Sequence, residues 1–155
     1  MAIVKANYQP RAKGKAVKAM GRACSYYTFR EGDDQARRTW HGADGRLLSY
    51  DQVREEIREH AREAGYSYRI VLSTKSKACD IGLEGYQAVL KEQFGDYYLI
   101  RHDNTDFPHA HVIAFSSRTL KRAELVQLRE RLLEREHARE LEREQQVEQS
   151  VDMEV

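Results

Sequence analysis

Residues 96–117, DYYLIRHDNTDFPHAHVIAFSS, decide the fold of this chain. Segments 96–101 and 109–115 are rich in aromatic and branched side chains, which favour strands. Between them, residues 103–108 contain Asp, Asn and Pro, which are typical of turns. The later segment is apolar on both faces apart from its histidines, as in a central, covered strand. We therefore predict two consecutive strands joined by a six-residue turn.

Outside this pair, helical and strand patterns alternate along the chain. The spacing of apolar residues predicts helices over 13–27, 50–64 and 83–94, and a helix from residue 120 onward. Shorter runs predict strands at 3–6 and 68–72 and a hairpin at 39–48. Ser49 and Gln52 form a capping-box pattern at the start of the second helix. The chain is predicted to be α+β, with a central, mainly antiparallel sheet covered by helices on one face.

The length of 155 residues suits one folded domain. We assign it to residues 1–134 and expect residues 135–155, which are rich in charge, to form a helical or frayed C-terminal tail. No run of about 18 apolar residues predicts a membrane span, and the start has no secretory pattern. Cys24 and Cys79 lack a metal-ligand spacing and read as reduced thiols. The expectation is a cytoplasmic protein without a membrane partner.

Charge is unevenly distributed along the chain. Residues 1–40 hold nine Lys or Arg and three acids, a sum of +6, whereas residues 121–155 hold seven basic and ten acidic residues, a sum of −3. A basic front segment predicts a polyanion partner, DNA or RNA, while a solvated helix face is the alternative. The candidates for phosphate contacts are Arg11, Lys13, Lys15, Lys18, Arg22 and Arg30. Tyr8, Tyr26 and Trp40 are candidates for stacking on bases.

Three histidines flank the turn between the two central strands. His109 and His111 lie two residues apart and therefore project from the same face of a strand. If the strands pair, His102 completes a set of three imidazoles with open positions, which is typical of a catalytic metal centre. Asp103 and Asp106 are candidates to orient these histidines through the second ring nitrogen. Isolated histidines on strands are usually structural, but two buried imidazoles without partners would be costly.

A nucleophile is available near the end of the first predicted helix. Tyr26 and Tyr27 follow the basic residues there. A tyrosine hydroxyl can attack a phosphodiester and form a covalent ester. A divalent metal would stabilise the charge that develops on the phosphate. Packing in the core is the alternative role for either tyrosine.

Two regions resemble the relaxases of plasmid mobilisation and conjugation, which are histidine-hydrophobe-histidine (HUH) endonucleases. In relaxases of the mobilisation type, a helix ends in a tyrosine followed by x-x-Arg-Glu-Gly, and Tyr27-Thr28-Phe29-Arg30-Glu31-Gly32 matches this motif. Their metal motif is similar to His-x-Asp-x-Asp-x-Pro-His-hydrophobe-His, and the matching residues are His102, Asp106, Pro108, His109, Ala110 and His111. Asn104 replaces the first acid of that motif, and Asp103 stands one position earlier. The resemblance covers about residues 5–140.

The resemblance implies an HUH-type nuclease fold and a DNA relaxase that nicks and rejoins one strand of single-stranded or melted DNA. Tyr27, rather than Tyr26, would form a 5′-phosphotyrosyl intermediate, with Mg²⁺ or Mn²⁺ held by the three histidines. The partners would be single-stranded DNA at an origin of transfer or replication, and accessory DNA-binding proteins. Alternatives are a rolling-circle replication initiator, a transposase of the same superfamily or a non-catalytic DNA-binding relic. Initiators and transposases usually place the tyrosine after the histidines, and this chain has no tyrosine after His111.

Overall fold

A computed structural model describes residues 2–12, 14–30, 39–74, 80–102 and 108–154. Six strands and four helices are assigned in them. The strands are β1 (Ile3–Pro10), β2 (Trp40–Gly42), β3 (Leu47–Leu48), β4 (Tyr66–Ser73), β5 (Asp96–His102) and β6 (His109–Ser116). The helices are α1 (Lys15–Phe29), α2 (Tyr50–Glu63), α3 (Gly82–Lys91) and α4 (Arg122–Glu154). Each element predicted from the sequence is present, with bounds that differ by a few residues.

The six strands form one antiparallel sheet with the order β1-β4-β6-β5-β2-β3. The central strand β6 pairs with β4 on one side and β5 on the other. Its residues are buried from Ala110 to Phe115, which agrees with the prediction of a covered strand. The expected α+β architecture with a mainly antiparallel sheet is therefore confirmed.

Helices cover both faces of the sheet, so the expectation of a single covered face was wrong. Ile113 and Phe115 of β6 pack into a core with α1 and α2, whereas Val112 and Ala114 pack into a core with α3 and α4. Alternate residues of a strand point to opposite faces. Because β5 and β6 are apolar at both sets of positions, each face needs its own cover.

The first half of the C-terminal helix α4 packs against the core, whereas its side chains at residues 137–149 are largely exposed. Leu128 and Leu132 are fully buried in the core that α4 shares with α3. The residues of the predicted tail belong to this same helix as far as Glu154. Among the described residues, no helix is both long enough and apolar enough to cross a membrane.

Local sequence explains where α2 begins. The Ser49 hydroxyl accepts a hydrogen bond from the main-chain N–H of Gln52, and the Gln52 side chain accepts one from the main-chain N–H of Ser49. This is the predicted capping box, which satisfies two N–H groups that otherwise lack helical partners. Val53, Ile57 and Ala61 then face the sheet at helical spacing.

Candidate metal and nucleophile site

The strand register brings three histidines together at one end of the sheet. His102, the last residue of β5, pairs with His109, the first residue of β6. His111 follows two residues later on the same face. The distances between ring centroids are 5.2 Å for His102 and His109, 4.6 Å for His102 and His111, and 5.0 Å for His109 and His111. We call these three residues the histidine cluster.

The donor atoms of the histidine cluster suit a divalent cation. One ligand nitrogen from each imidazole lies within 4.8 Å of the other two. Metal–nitrogen bonds of about 2.0–2.1 Å allow two ligands of one ion to stand roughly 4 Å apart. Side-chain rotations that shift the nitrogens by less than about 1 Å would therefore close the set around an ion. Three imidazoles are too few to fill a metal's coordination sphere, so positions remain for an oxygen of a substrate.

Tyr27 lies directly on the histidine cluster. Its ring stacks on that of His111, with centroids 4.1 Å apart and an angle of 16° between the planes. Its main-chain oxygen lies 2.9 Å from Nε2 of His102. Tyr27 therefore contacts two of the three histidines, although 75 residues separate it from His102.

The contact with the Tyr27 carbonyl selects one tautomer of His102. A carbonyl oxygen only accepts hydrogen bonds, so Nε2 must carry the proton. The lone pair of the imidazole is then on Nδ1, the nitrogen that can bind a metal in this tautomer. Metal-bound histidines usually donate their other N–H to a carbonyl or carboxylate in this way. In this protein the backbone of Tyr27 provides that acceptor.

A chain of hydrogen bonds holds the last turn of α1, which carries Tyr27. The indole N–H of Trp40 donates to the Thr28 hydroxyl over 2.8 Å. That hydroxyl donates to the main-chain oxygen of Cys24, one turn earlier, over 2.7 Å. The Ser25 hydroxyl also lies 2.5 Å from that of Tyr50 at the start of α2. The end of α1 is thus attached to both β2 and α2.

Tyr26 and Tyr27 occupy very different surroundings. Tyr27 is 8% exposed and belongs to the core between the sheet and the helices α1 and α2, whereas Tyr26 is 60% exposed. Their ring centroids are 6.0 Å apart. Burial raises the pKa of the Tyr27 phenol, and the positive charge of Arg69 acts in the opposite direction. Tyr27 contacts the histidine cluster both through its ring and through its main-chain oxygen, and Tyr26 makes neither of these contacts.

Arg69 also lies near the site, although no sequence motif marks it. It is exposed on β4, opposite Ile113 of β6 and Asn7 of β1. Two residues further along β4, Val71 pairs with His111. Arg69 therefore lies on the face of the histidine cluster. Side chains alternate between the two faces along β4, so Arg69 points to the face opposite that of Tyr68 and Ile70. Only the strand pairing shows which residues of other strands lie on the same face as Arg69.

Some expected site residues lie outside the described parts of the chain. They are Lys13, Asp103 and Asp106, together with Glu31 and Gly32 of the tyrosine motif. Pro108, which precedes β6, is buried, and its main-chain oxygen accepts a hydrogen bond from the N–H of Thr74.

The other basic candidates are exposed but have different surroundings. Arg11 donates from its guanidinium to the main-chain oxygen of Glu63 over 2.8 Å and so caps the C-terminal end of α2. Arg30 is the C-terminal cap residue of α1. Lys15, Lys18 and Arg22 lie along α1 with exposed side chains.

Two of the three stacking candidates cannot act at the histidine cluster. Trp40 is 1% exposed, so its ring cannot receive a base from outside. Tyr8 is exposed but packs against Tyr66 and Tyr68, and Tyr68 belongs to the core on the other face of the sheet. Sequence alone did not show this because an aromatic residue in a short strand can face either side. Tyr26 remains exposed next to Tyr27.

Comparison of the chain with protein-family models, with curated proteins and with solved structures finds no match. A functional proposal therefore rests on the fold, the geometry of the histidine cluster and the sequence motifs of this chain.

Proposed function

We propose that this protein is a metal-dependent endonuclease and strand transferase that cleaves single-stranded DNA through Tyr27. One observation carries the proposal. Tyr27 stacks on His111 and accepts a hydrogen bond from His102, so a tyrosine hydroxyl and a three-imidazole cluster belong to the same small region. The resemblance of both motifs to HUH relaxases supports the same reading.

The proposed reaction is a transesterification. The Tyr27 oxygen forms a bond to phosphorus, and the bond from phosphorus to the 3′ oxygen breaks. The phenol gives up a proton and the leaving oxygen takes one up, so the step balances without an oxidant or reductant. The product is a 5′-phosphotyrosyl ester and a free 3′-hydroxyl, and reversal rejoins the strand.

The residues of this chain have separate tasks in that reaction. His102, His109 and His111 would hold Mg²⁺ or Mn²⁺, which would supply positive charge to the phosphate oxygens. Imidazole ligands favour Mn²⁺ over Mg²⁺, which prefers oxygen ligands. Arg69 adds a permanent positive charge on the same face of the sheet. The main chain of Tyr27 keeps His102 in the tautomer that binds metal through Nδ1.

The proposed biological role is that of a relaxase in plasmid mobilisation or conjugative transfer, in the cytoplasm. The order of the parts supports this role over that of a replication initiator or transposase, since Tyr27 precedes the histidines. Accessory DNA-binding proteins would be further partners at the origin of transfer.

A gel assay for a covalent adduct tests the proposal. Wild-type protein is mixed with labelled single-stranded DNA from its own replicon and Mn²⁺, and then analysed under denaturing conditions. We expect a labelled protein band in the wild type and in Tyr26→Phe, and none in Tyr27→Phe. The Tyr27→Phe ring can still stack on His111 and its carbonyl is unchanged, so metal binding should persist in calorimetry. An adduct that survives in the Tyr26, Tyr27 double Phe variant would refute the assignment.

The burial of Tyr27 favours a second candidate function. A tyrosine that is 8% exposed and packs in the core can serve structure alone. The histidine cluster would then support a hydrolytic nuclease in which metal-bound water attacks the phosphate. Mn²⁺-dependent cleavage without any adduct, retained in Tyr27→Phe, would identify this alternative.

A further inference from the structure

A positively charged groove runs between α1 and α2, on the outer side of the helices that cover the histidine face. It has a cavity volume of about 380 Å³. The lining residues are Val17, Lys18, Gly21, Arg22, Ser25, Arg54 and Arg58. We call it the α1–α2 groove. Four of its seven lining residues are cations, and none is an acid.

In the part of the chain that the structure describes, no carboxylate forms an ion pair with a cation of the groove. Several other arginines of this protein form ion pairs, for example Arg46 with Glu56 and Arg101 with Asp80. Among the described residues, the side chains of Lys18, Arg22, Arg54 and Arg58 form no hydrogen bond and no ion pair. Arg54 and Arg58 also line a neighbouring depression on α2, together with Arg62 and the acids Asp51, Glu55 and Glu59, and these acids offset part of their charge on that side. The lining of the groove itself holds four cations and no acid, so the groove is positively charged and can bind an anionic partner.

The groove leads along α1 toward Tyr27. Lys18 and Arg22 precede Tyr27 by nine and five residues, which corresponds to about 14 and 8 Å along a helix. Ser25 lines the near end of the groove and contacts the hydroxyl of Tyr50. The ring of Tyr50 meets that of Phe29 edge to face at 4.7 Å, and Phe29 is 56% exposed.

These features fit a polyanionic strand better than a small anion. A small phosphate is usually held by several donors that converge on one point, whereas these cations are spread along two helices over an open groove. Single-strand binding sites combine a cationic groove for the backbone with an exposed aromatic face on which a base can stack. We propose that the α1–α2 groove binds the phosphate backbone of single-stranded DNA beside the cleaved segment, with Phe29 stacking a base. The proposal rests on the proposed function, which makes single-stranded DNA the ligand.

Salt-dependent binding tests the groove separately from cleavage. The probe is a fluorescein-labelled oligodeoxythymidine of about 20 nucleotides, without divalent metal, measured by anisotropy in increasing NaCl. Arg54→Gln with Arg58→Gln removes two charges from the groove. The slope of log affinity against log salt should become shallower by about 1.4, and affinity at 0.1 M salt should fall by roughly ten- to thirty-fold. The matched control, Lys91→Gln with Arg143→Gln, removes two exposed charges from α3 and α4 and should leave both values unchanged.

Substitutions at Gly21 provide a second test, because Glu and Gln side chains have nearly the same size but differ in charge. A Cβ atom on Gly21 would meet no other atom within 4 Å, so a side chain fits there. Gly21→Glu introduces a negative charge beside Lys18 and Arg22 and should weaken binding, whereas Gly21→Gln should not. Phe29→Ala should lower affinity about ten-fold or more without changing the salt slope, because stacking is not ionic.

Several results would overturn the groove proposal. They are unchanged affinity and slope in the Arg54, Arg58 variant, an equal loss in the control pair, or a preference of the groove for duplex of the same length. In the adduct assay with saturating DNA and Mn²⁺, the groove variants should still form the Tyr27 adduct. Loss of binding in the groove variants without any adduct in the wild type would support the groove and refute the role of Tyr27.

Discussion

Tyr27 meets the histidine cluster through two different parts of the residue. The ring stacks on His111, and the main-chain oxygen accepts a hydrogen bond from His102. A substitution that removes only the hydroxyl keeps both contacts. Tyr27→Phe therefore removes the proposed nucleophile without disturbing the packing of the site. Tyr27→Ala would remove the stacking as well and leave a cavity in the core.

Cys24 provides a residue-scale prediction about the rigidity of α1. It is fully buried, and burial raises the pKa of its thiol to about 12. An unfolded cysteine has a pKa of about 8.5, so the folded state keeps the thiol protonated between the two values. In a Cys79→Ser variant, Ellman's reagent at pH 8.5 should react with Cys24 far more slowly in native protein than in denaturant. Rapid native reaction would show that α1 opens readily.

The same shift fixes the sign of a pH effect on stability. The folded pKa of Cys24 is raised, so its contribution to stability is complete below about pH 8.5. It is lost progressively as the pH rises toward 12, because the unfolded chain ionises first. The alkaline fall in stability should therefore be smaller in Cys24→Ala than in wild type, measured in the same denaturant.

At the scale of elements, the link between β2 and the end of α1 positions the candidate nucleophile. Trp40 reaches α1 through the Thr28 hydroxyl, next to Tyr27. Thr28→Val keeps the branched shape but removes the acceptor, which leaves the buried indole N–H without this partner. We expect a loss of about 1–3 kcal/mol in the free energy of unfolding. The rate of adduct formation should fall as well, because the last turn of α1 loses its attachment to the sheet.

A control with a similar loss of stability separates these two effects. Ser49→Ala removes the capping box of α2 and should cost about 1 kcal/mol. It leaves the contact between Trp40 and Thr28 in place, so the rate of adduct formation below the melting range should be that of wild type. Equal rates in Thr28→Val and Ser49→Ala would show that the link does not position Tyr27.

At the scale of the whole molecule, the histidine cluster joins parts that are distant in the chain. His102 and His109 end two paired strands, and Tyr27 attaches α1 to them. A cation that binds the folded protein and not the unfolded chain stabilises it by about 2.7 kcal/mol at a concentration 100-fold above the Kd. For a chain of this size we expect Mn²⁺ to raise the Tm by roughly 5–10 °C.

Histidine variants test whether this stabilisation comes from the cluster. His109→Ala should abolish the Mn²⁺-induced rise in Tm, because it removes one of the three candidate ligands. His137, an exposed residue of α4, provides the control, and His137→Ala should keep the full rise. If His109→Ala kept the full rise, the metal would bind elsewhere in the protein.

Local sequence determined the elements and singled out the three candidate metal ligands. Alternate residues of a strand point to the same face, which is enough to place His109 and His111 together. The few residues between the two strand patterns favour the pairing of β6 with β5. The helices α1 and α2 follow from the helical spacing of apolar residues, and the start of α2 follows from Ser49 and Gln52. These features depend on residues that are near one another in the chain, which is why patterns reveal them.

Tertiary structure alone decided how the parts meet. The strand order β1-β4-β6-β5-β2-β3 and the cover on both faces depend on pairings between distant segments. The stacking of Tyr27 on His111, the position of Arg69 and the groove between α1 and α2 all depend on how helices pack on the sheet. The local periodicity of apolar residues indicates which side of an element is buried, but it does not indicate which other element covers that side. The physical reason is that packing energy comes from contacts between residues far apart in sequence, and these leave no local pattern.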